Sequence, residues 1–387
     1  MTYDLVVVGL GGMGSATLAR ASLRGGRVLG IEQFARGHDL GSSGGRSRII
    51  RQAYFEDPNY VPLLVRAYEL WGDLERRTGA TVWDLVGVLM VGGDDSPALA
   101  GTLRAAREFD LPLDELDAAE IVRRYPGTTP RAHEHGLFER NAGAVFPEAA
   151  IAAHLQLAES NGAEMRFETT VAGIEPRADG IRVTLLDGTS VMASRLALCA
   201  GPWLGDVARD LGLPLRVQRN VQIWFKPTTA AFGADRFPGF FVDRPEFPAV
   251  LYGFPDFGEG VKAALHSYGE TTDASSLDRA IRPDDIRLVK DALATWIPAA
   301  AGEFVSGKAC MYTLTPDEHF IIDHHPGDER IVIAGGFSGH GFKFCSVVGE
   351  IVDQLAFDGG STHPIDFLRI GRFHTAERGA SARTIVS

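Results

Sequence analysis

The chain has 387 residues, 45% of them hydrophobic and 23% charged. That suits a soluble globular protein of about two domains and excludes a disordered or fibrous one. Its 38 basic and 50 acidic residues leave a net charge of -12, which opposes binding to nucleic acid or anionic membranes. No apolar stretch approaches the roughly 18 residues that cross a bilayer, Met1 to Asp4 carry no basic leader, and Cys199, Cys310 and Cys345 lack CxxC spacing. A cytoplasmic protein without a disulfide framework or zinc site is expected.

In chain order, Asp4 to Val8 is an apolar run entering Gly9, as in a strand buried on both faces of a parallel sheet. Ser15 to Arg24 reads as a helix stopped by Gly25-Gly26, and Arg27 to Ile31 as a second strand ending at Glu32, completing a βαβ unit. Val61, Leu64, Tyr68, Trp71 and Leu74 recur at helical spacing between Tyr60 and Thr78, with Gly79 as the stop. Residues 80–148 are less regular and belong to a mixed segment of another domain. Pro147 to Ser160 reads as a helix, and Glu164–Ile174, Arg182–Leu186 and Ser190–Leu198 as strands around Asp187-Gly188. Arg216 to Ser267 is strand-rich, and Arg282 to Trp296 is a helix with Pro283 in its first turn, which suggests a sheet with helices on one side. Ile331 to Ala334 is a strand entering a glycine-dense turn, followed by a helix through Val347, Ile351 and Leu355. His324-His325 is a doubtful metal pair, since neighbours on a strand point apart and no third ligand is evident; both are expected in a loop. No linker separates these parts, so two interleaved domains are expected.

Gly9-Leu10-Gly11-Gly12-Met13-Gly14 fits GxGxxG between strand and helix, with Glu32 closing the next strand. The glycines allow backbone N–H groups and the positive helix end to approach a pyrophosphate, while Glu32 suits a ribose and repels a 2'-phosphate, disfavouring NADP. The motif serves FAD and NAD alike.

Four further stretches carry a specific likeness: Gly41-Ser42-Ser43-Gly44-Gly45-Arg46-Ser47-Arg48-Ile49-Ile50-Arg51; Cys199-Ala200-Gly201-Pro202-Trp203; Cys310-Met311-Tyr312-Thr313-Leu314-Thr315-Pro316-Asp317-Glu318; and Gly335-Gly336-Phe337-Ser338-Gly339-His340-Gly341-Phe342-Lys343. Nearly end to end, the chain resembles the family of monomeric sarcosine oxidase, N-methyltryptophan oxidase and pipecolate oxidase. The resemblance implies an α/β fold, with a Rossmann-like FAD-binding domain interleaved with a sheet-rich α+β substrate domain, as in D-amino-acid oxidase. Residues 1–81, 142–214 and 315–387 would form the FAD-binding domain, and 82–141 and 215–314 the substrate domain. It implies FAD joined covalently to Cys310 through the 8α-methyl, where a thiolate is the nucleophile such a bond needs and Lys308 stands two residues away. FAD would be held by Gly9, Gly11, Gly12, Met13, Gly14, Glu32, Ser42, Ser43, Arg48, Val171, Ala200, Gly201, Trp203, Cys310, Gly341, Phe342 and Lys343. Arg48, Lys262 and His266 are the implied catalytic residues: Arg48 steadies the reduced ring, Lys262 lies at flavin N5 and promotes oxygen reduction, and His266 lines the amine pocket. Arg51 and Lys343 would share the substrate carboxylate, the arginine fork meeting both oxygens, with Tyr252, Tyr312 and Gly339 completing the pocket. The implied reaction moves a hydride equivalent from a carbon beside nitrogen to the flavin, giving an imine, with oxygen reduced to hydrogen peroxide and no strong base required. Consistently, no poised carboxylate stands in these motifs. The expected partners are a secondary or N-methylated amino acid and molecular oxygen, and a monomer is expected.

The chain departs from sarcosine and N-methyltryptophan oxidases at Ser43-Gly44-Gly45-Arg46-Ser47-Arg48, where those enzymes have HHGDTR. The serines resemble pipecolate oxidase's SSHGQSR, again without its histidine. The substrate therefore stays open among sarcosine, pipecolate, a bulky N-methyl amino acid, a sugar-amine adduct and a biosynthetic intermediate. A flavin dehydrogenase with another electron acceptor and a non-catalytic nucleotide-binding protein remain alternatives.

Overall fold

A computed structural model describes residues 2–373. Residues 374–387 of the last expected FAD-binding segment, and Met1, lie outside the described residues. A six-stranded sheet runs in the order Glu164–Arg166, Val28–Ile31, Leu5–Val8, Leu196–Leu198, Asp328–Gly335, Ile321–His325. All its pairings are parallel except the last. Residues alternate across it, as period-2 geometry requires. Leu5, Val7, Ala197, Val332 and Ala334 pack against the helices Gly12–Ser22, Val61–Thr78, Pro147–Ser160 and Cys345–Asp358. Val6, Val8, Leu198, Ile331 and Ile333 instead pack against a four-stranded sheet through Ile181, Val183, Val191 and Ala193. Each fully buried Val, Leu or Ile among these contributes about 1.5–3 kcal/mol.

An eight-stranded sheet runs Glu303–Leu314, Arg216–Lys226, Val261–Leu265, Leu251–Phe254, Gly239–Asp243, Val88–Gly92, His135–Glu139, Asp114–Asp117. Only the pairing of Gly239–Asp243 with Val88–Gly92 is parallel. One face, carrying Phe225, Phe240, Val261 and Leu265, packs on the helix Pro283–Trp296 through Val289, Leu293 and Trp296. The opposite face carries Phe241, Tyr252, Phe254 and Ala264. A small sheet pairs Gly143–Val145 with both Arg48–Ile50 and Trp83–Asp84.

Several expected elements are corrected. The first helix begins at Gly12, not Ser15, so half the glycine motif is itself helical. Glu164–Ile174 is not one strand: Glu164–Arg166 joins the six-stranded sheet and Val171–Arg177 the four-stranded one, with Glu168 at φ 52° in the bend. Ser190–Leu198 divides in the same way between Ser190–Ala193 and Leu196–Leu198. His324 and His325 end the strand Ile321–His325 rather than lying in a loop. His324 meets Glu329 O and His325 meets Asp210, and no group of three potential metal ligands occurs among the described residues.

Candidate active site

The strand Leu5–Val8 delivers the chain into a turn at Gly9, φ +88°, whose N–H donates to Ile31 O at 2.8 Å. A Cβ on Gly14 would stand 1.7 Å from Gly9 O, so the turn and the helix close only on glycine. At the end of the adjacent strand, Glu32 accepts from Leu10 N at 2.8 Å and Phe34 N at 3.1 Å. Burial works to raise its carboxyl, but His38 and these amides outweigh it and hold it below the usual range. Ser43 Oγ accepts from Gly12 N at 3.2 Å, tying the 41–48 loop to the helix N-terminus.

From this turn a cavity of about 330 Å³ runs to the apolar face of the eight-stranded sheet. Its walls include Gly9, Gly11, Gly12, Met13, Glu32, Ser42, Ser43, Arg48, Val171, Ala200, Gly201 and Trp203, and further on Arg51, Tyr252, His266, Tyr312, Gly339, Gly341, Phe342 and Lys343. The structure thus gathers nearly all the expected site residues around one space. Gly14, Lys262 and Cys310 do not line it. Gly14 is spent on packing. Lys262 stands behind the loop, its ammonium donating to Gly45 O and Ser47 O at 2.7 Å and to Ser47 Oγ at 3.1 Å. Cys310 is buried beside the wall residues Met311 and Tyr312.

At the far end, Arg51 is 1% exposed and its guanidinium lies 4.5 Å from the Tyr54 ring and 4.3 Å from the Phe55 ring. It donates to Ala53 O at 2.7 Å and to Glu56 at 2.5 Å, while its Nε is buried without a partner. Lys343, in the turn before the last helix, donates to His340 O at 2.9 Å and sits 5.0 Å from the Tyr54 ring. Burial pushes Lys343 down to about 7, with Glu56 opposing and Arg51 reinforcing the shift. The sequence alone does not single out Glu56. It follows Arg51 by five residues in Phe55-Glu56-Asp57-Pro58, and no motif marks it. Burial favours its neutral form, yet Arg51, His340 and Lys343 hold it ionised, with a pKa of about 2. A carboxylate does stand in the wall, but an ion pair occupies it and it is no base near neutral pH.

Tyr252, His266 and Tyr312 form an aromatic wall, with His266 5.6 Å from Tyr312 and 6.1 Å from Tyr252. Burial drives His266 down to about 4, so its imidazole is neutral at pH 7. Gly339, at φ +80°, leaves the space that Tyr312 fills, since a Cβ there would lie 2.2 Å from the ring.

The arginine-rich loop divides its charges. Arg48 donates to Ser42 O at 3.0 Å, Ser47 O at 2.9 Å and Gly44 O, so it both folds the loop and faces the cavity. Arg46 turns outward, pairs with Glu259 and does not line the cavity. Gly44 and Gly45 have their own packing reason. A Cβ at 44 would meet Lys308 Nζ at 2.4 Å, and one at 45 would meet Gln222 Oε1 at 2.2 Å. Lys308 is itself held by Asp39 at 2.5 Å. The ammonium expected to assist Cys310 is therefore engaged elsewhere, and Gln222 is the residue that donates to the sulfur.

These residues fit an FAD: a glycine turn at the cavity wall that closes only without side chains, a carboxylate where a ribose would lie, and a buried, unpartnered Thr313 Oγ1 in the same wall. The family model for FAD dependent oxidoreductases (DAO) matches residues 4–355. The chain is 45% identical over 370 residues to a monomeric sarcosine oxidase of Streptomyces avermitilis, covering 94% of this chain and 96% of that one. It is 33% identical over 375 residues to an N-methyl-L-tryptophan oxidase of Yersinia pestis, covering 96% and 100%. The open form of NikD, an unusual amino acid oxidase, superposes with a TM-score of 0.85 at 24% identity over 95% of this chain and 97% of that one, a likeness of fold.

Proposed function

Because the chain belongs to the family of FAD dependent oxidoreductases, we propose that it oxidises a secondary or N-methylated amino acid at the carbon beside nitrogen. The observation that carries this reading is the placing of two buried cations, Arg51 and Lys343, in the same cavity wall as the glycine turn and Glu32. One ionised carboxylate, Glu56, stands against the two cations and leaves a single positive charge for a substrate carboxylate. Neutral His266 with Tyr252 and Tyr312 then encloses an uncharged amine without competing for its proton. Among the described residues, 2–81, 142–214 and 315–373 form the FAD-binding part and 82–141 and 215–314 the cover, a division supported by sheet membership except where Trp83–Asp84 pairs with Gly143–Val145.

FAD would be held by the Gly9–Gly14 turn, Glu32, Ser42, Ser43 and Ala200–Trp203 and tethered at Cys310; when bound it would supply the two-electron acceptor for the C–H bond and the route to oxygen, with hydrogen peroxide as product. Arg51 and Lys343 fix the carboxylate and so aim the C–H bond. Lys262 supplies positive charge behind the loop for the oxygen step. We place the protein in the cytoplasm as a monomer. Its three cysteines are buried and unpaired, and no helix among the described residues is long and apolar enough to cross a membrane.

Anaerobic titration with a panel of secondary amino acids tests the reaction: at least one is expected to bleach the flavin, with peroxide released on readmitting air. A flavin left yellow by every member would end the proposal. In the same preparation, acid denaturation is expected to leave the flavin in the precipitate, whereas a yellow supernatant removes the tether.

The carboxylate clamp has a pH signature. Lys343 is charged below about 7 and loses its proton above it. Binding of a short carboxylate without an amine is therefore expected to weaken about tenfold between roughly pH 6 and pH 8, the slope of one lost proton. Lys343→Met should flatten that dependence; a wild-type affinity independent of pH would take Lys343 out of the clamp.

A further inference from the structure

Gln222 lies on the strand Arg216–Lys226, 1% exposed, between the arginine loop and the cysteine strand. Its Nε2 is 3.3 Å from Cys310 Sγ and its Oε1 is 3.5 Å from Arg48 Nη1. A guanidinium has donors only, so the amide oxygen must face Arg48, and the NH2 group then faces the sulfur. The register reinforces the arrangement: Gln222 pairs with Lys308 and Asn220 with Cys310, so Gln222 reaches the sulfur diagonally across one strand pair. Gly45 lacks the Cβ that would collide with Oε1. Arg48 and Lys262 both donate to Ser47 O, and Gln222 carries the contact on to Cys310, so guanidinium, ammonium and thiol lie around one turn of the loop.

We propose that Gln222 is a positioning residue for cofactor attachment, holding the Cys310 sulfur by an N–H donor while its oxygen is tied to Arg48. This rests on the reading of Cys310 as the tether. Joining the sulfur to the methyl carbon at the flavin's edge removes one hydrogen from the thiol and one from the methyl group. The two electrons and two protons released are taken up by the isoalloxazine and passed to oxygen as hydrogen peroxide. An N–H donor at the sulfur stabilises the anion that makes this bond. The amide is kept in this orientation because its oxygen lies toward Arg48 Nη1, 3.5 Å away, and an NH2 group turned there would meet a second donor. Gln222 thus acts on attachment through Cys310, without itself meeting the reacting carbon.

The test follows covalent incorporation of added FAD into the full chain prepared with little flavin, read by acid precipitation and intact mass. Gln222→Met keeps the length and loses both polar atoms; Gln222→Glu keeps an acceptor for Arg48 and loses the donor. Both are expected to lower the limiting rate of attachment at least tenfold and leave the FAD concentration for half-maximal rate unchanged. A role confined to packing would move the half-saturating concentration instead. Non-covalent FAD binding by Gln222→Met in a Cys310→Ala background is expected to equal that of Cys310→Ala alone, which shows the variant folds. Attachment by Gln222→Met at the wild-type rate overturns the inference and leaves the tether standing. A wild-type chain whose flavin is wholly released by acid overturns both.

Discussion

Lys262→Met is expected to slow reoxidation of the reduced enzyme by oxygen about 100- to 1000-fold, with anaerobic reduction by substrate changed less than about threefold. The charge need not touch the reacting atoms. At about 5 Å and an effective dielectric near 20, one ammonium stabilises a forming superoxide by about 3 kcal/mol, or roughly 100-fold in rate. Methionine preserves the apolar stem that places the ammonium 5.3 Å from Trp224 and 4.8 Å from Phe254, so packing is largely conserved. It removes one donor each from Gly45 O and Ser47 O, which keep Ser47 N and Arg48 as partners; that costs about 0.5–1.5 kcal/mol of stability per hydrogen bond lost, and a thermal melt measures it separately. Burial and the neighbouring Arg48 push the Lys262 pKa well down. Its charge is thus present at low pH and lost as pH rises, so wild-type reoxidation should slow with increasing pH and the variant should not. Rapid mixing of reduced enzyme with aerated buffer reads both effects; equal rates for the two proteins would withdraw Lys262 from the oxygen step.

Arg51→Met should lower kcat/KM for the best amino acid by about 100- to 1000-fold, the loss of a charge-assisted, two-point contact worth roughly 3–4 kcal/mol. Two effects combine in that figure. The carboxylate loses its fork, and Glu56 loses the partner 2.5 Å away. A carboxylate stranded in the wall then competes for Lys343 and repels the substrate. The double variant Arg51→Met, Glu56→Gln separates them: it should recover at least about tenfold over Arg51→Met by removing the stranded anion. Steady-state kinetics on both proteins decide it. If Arg51→Met alone retains wild-type kcat/KM, substrate is not held at this end of the cavity.

Local pattern carried the glycine-turn half of the candidate site. Leu5–Val8, Gly9, Gly14 and Glu32 lie within one strand–helix–strand unit, where short-range geometry leaves few alternatives. The helix Pro147–Ser160 was legible to the residue because Pro147 fixes its start. Strand boundaries were less legible. Glu164–Arg166 and Val171–Arg177 carry the same extended signature, and only pairing with different neighbours separates them into two sheets. The family likeness pointed to Arg48, Arg51, Lys262, Cys310 and Lys343 as candidates, but not to their partners.

By itself, then, the amino-acid order determined the βαβ turn and the helix periods. Those depend on neighbours a few residues apart. Tertiary structure alone decided that Glu56 neutralises Arg51, that Arg46 turns outward while Arg48 turns in, and that Gln222 joins Arg48 to Cys310 across 174 and 88 residues of chain. The physical reason is that a buried polar atom takes its partner from whatever the packing of two sheets brings within hydrogen-bond reach, and that distance is set by the fold rather than by sequence separation.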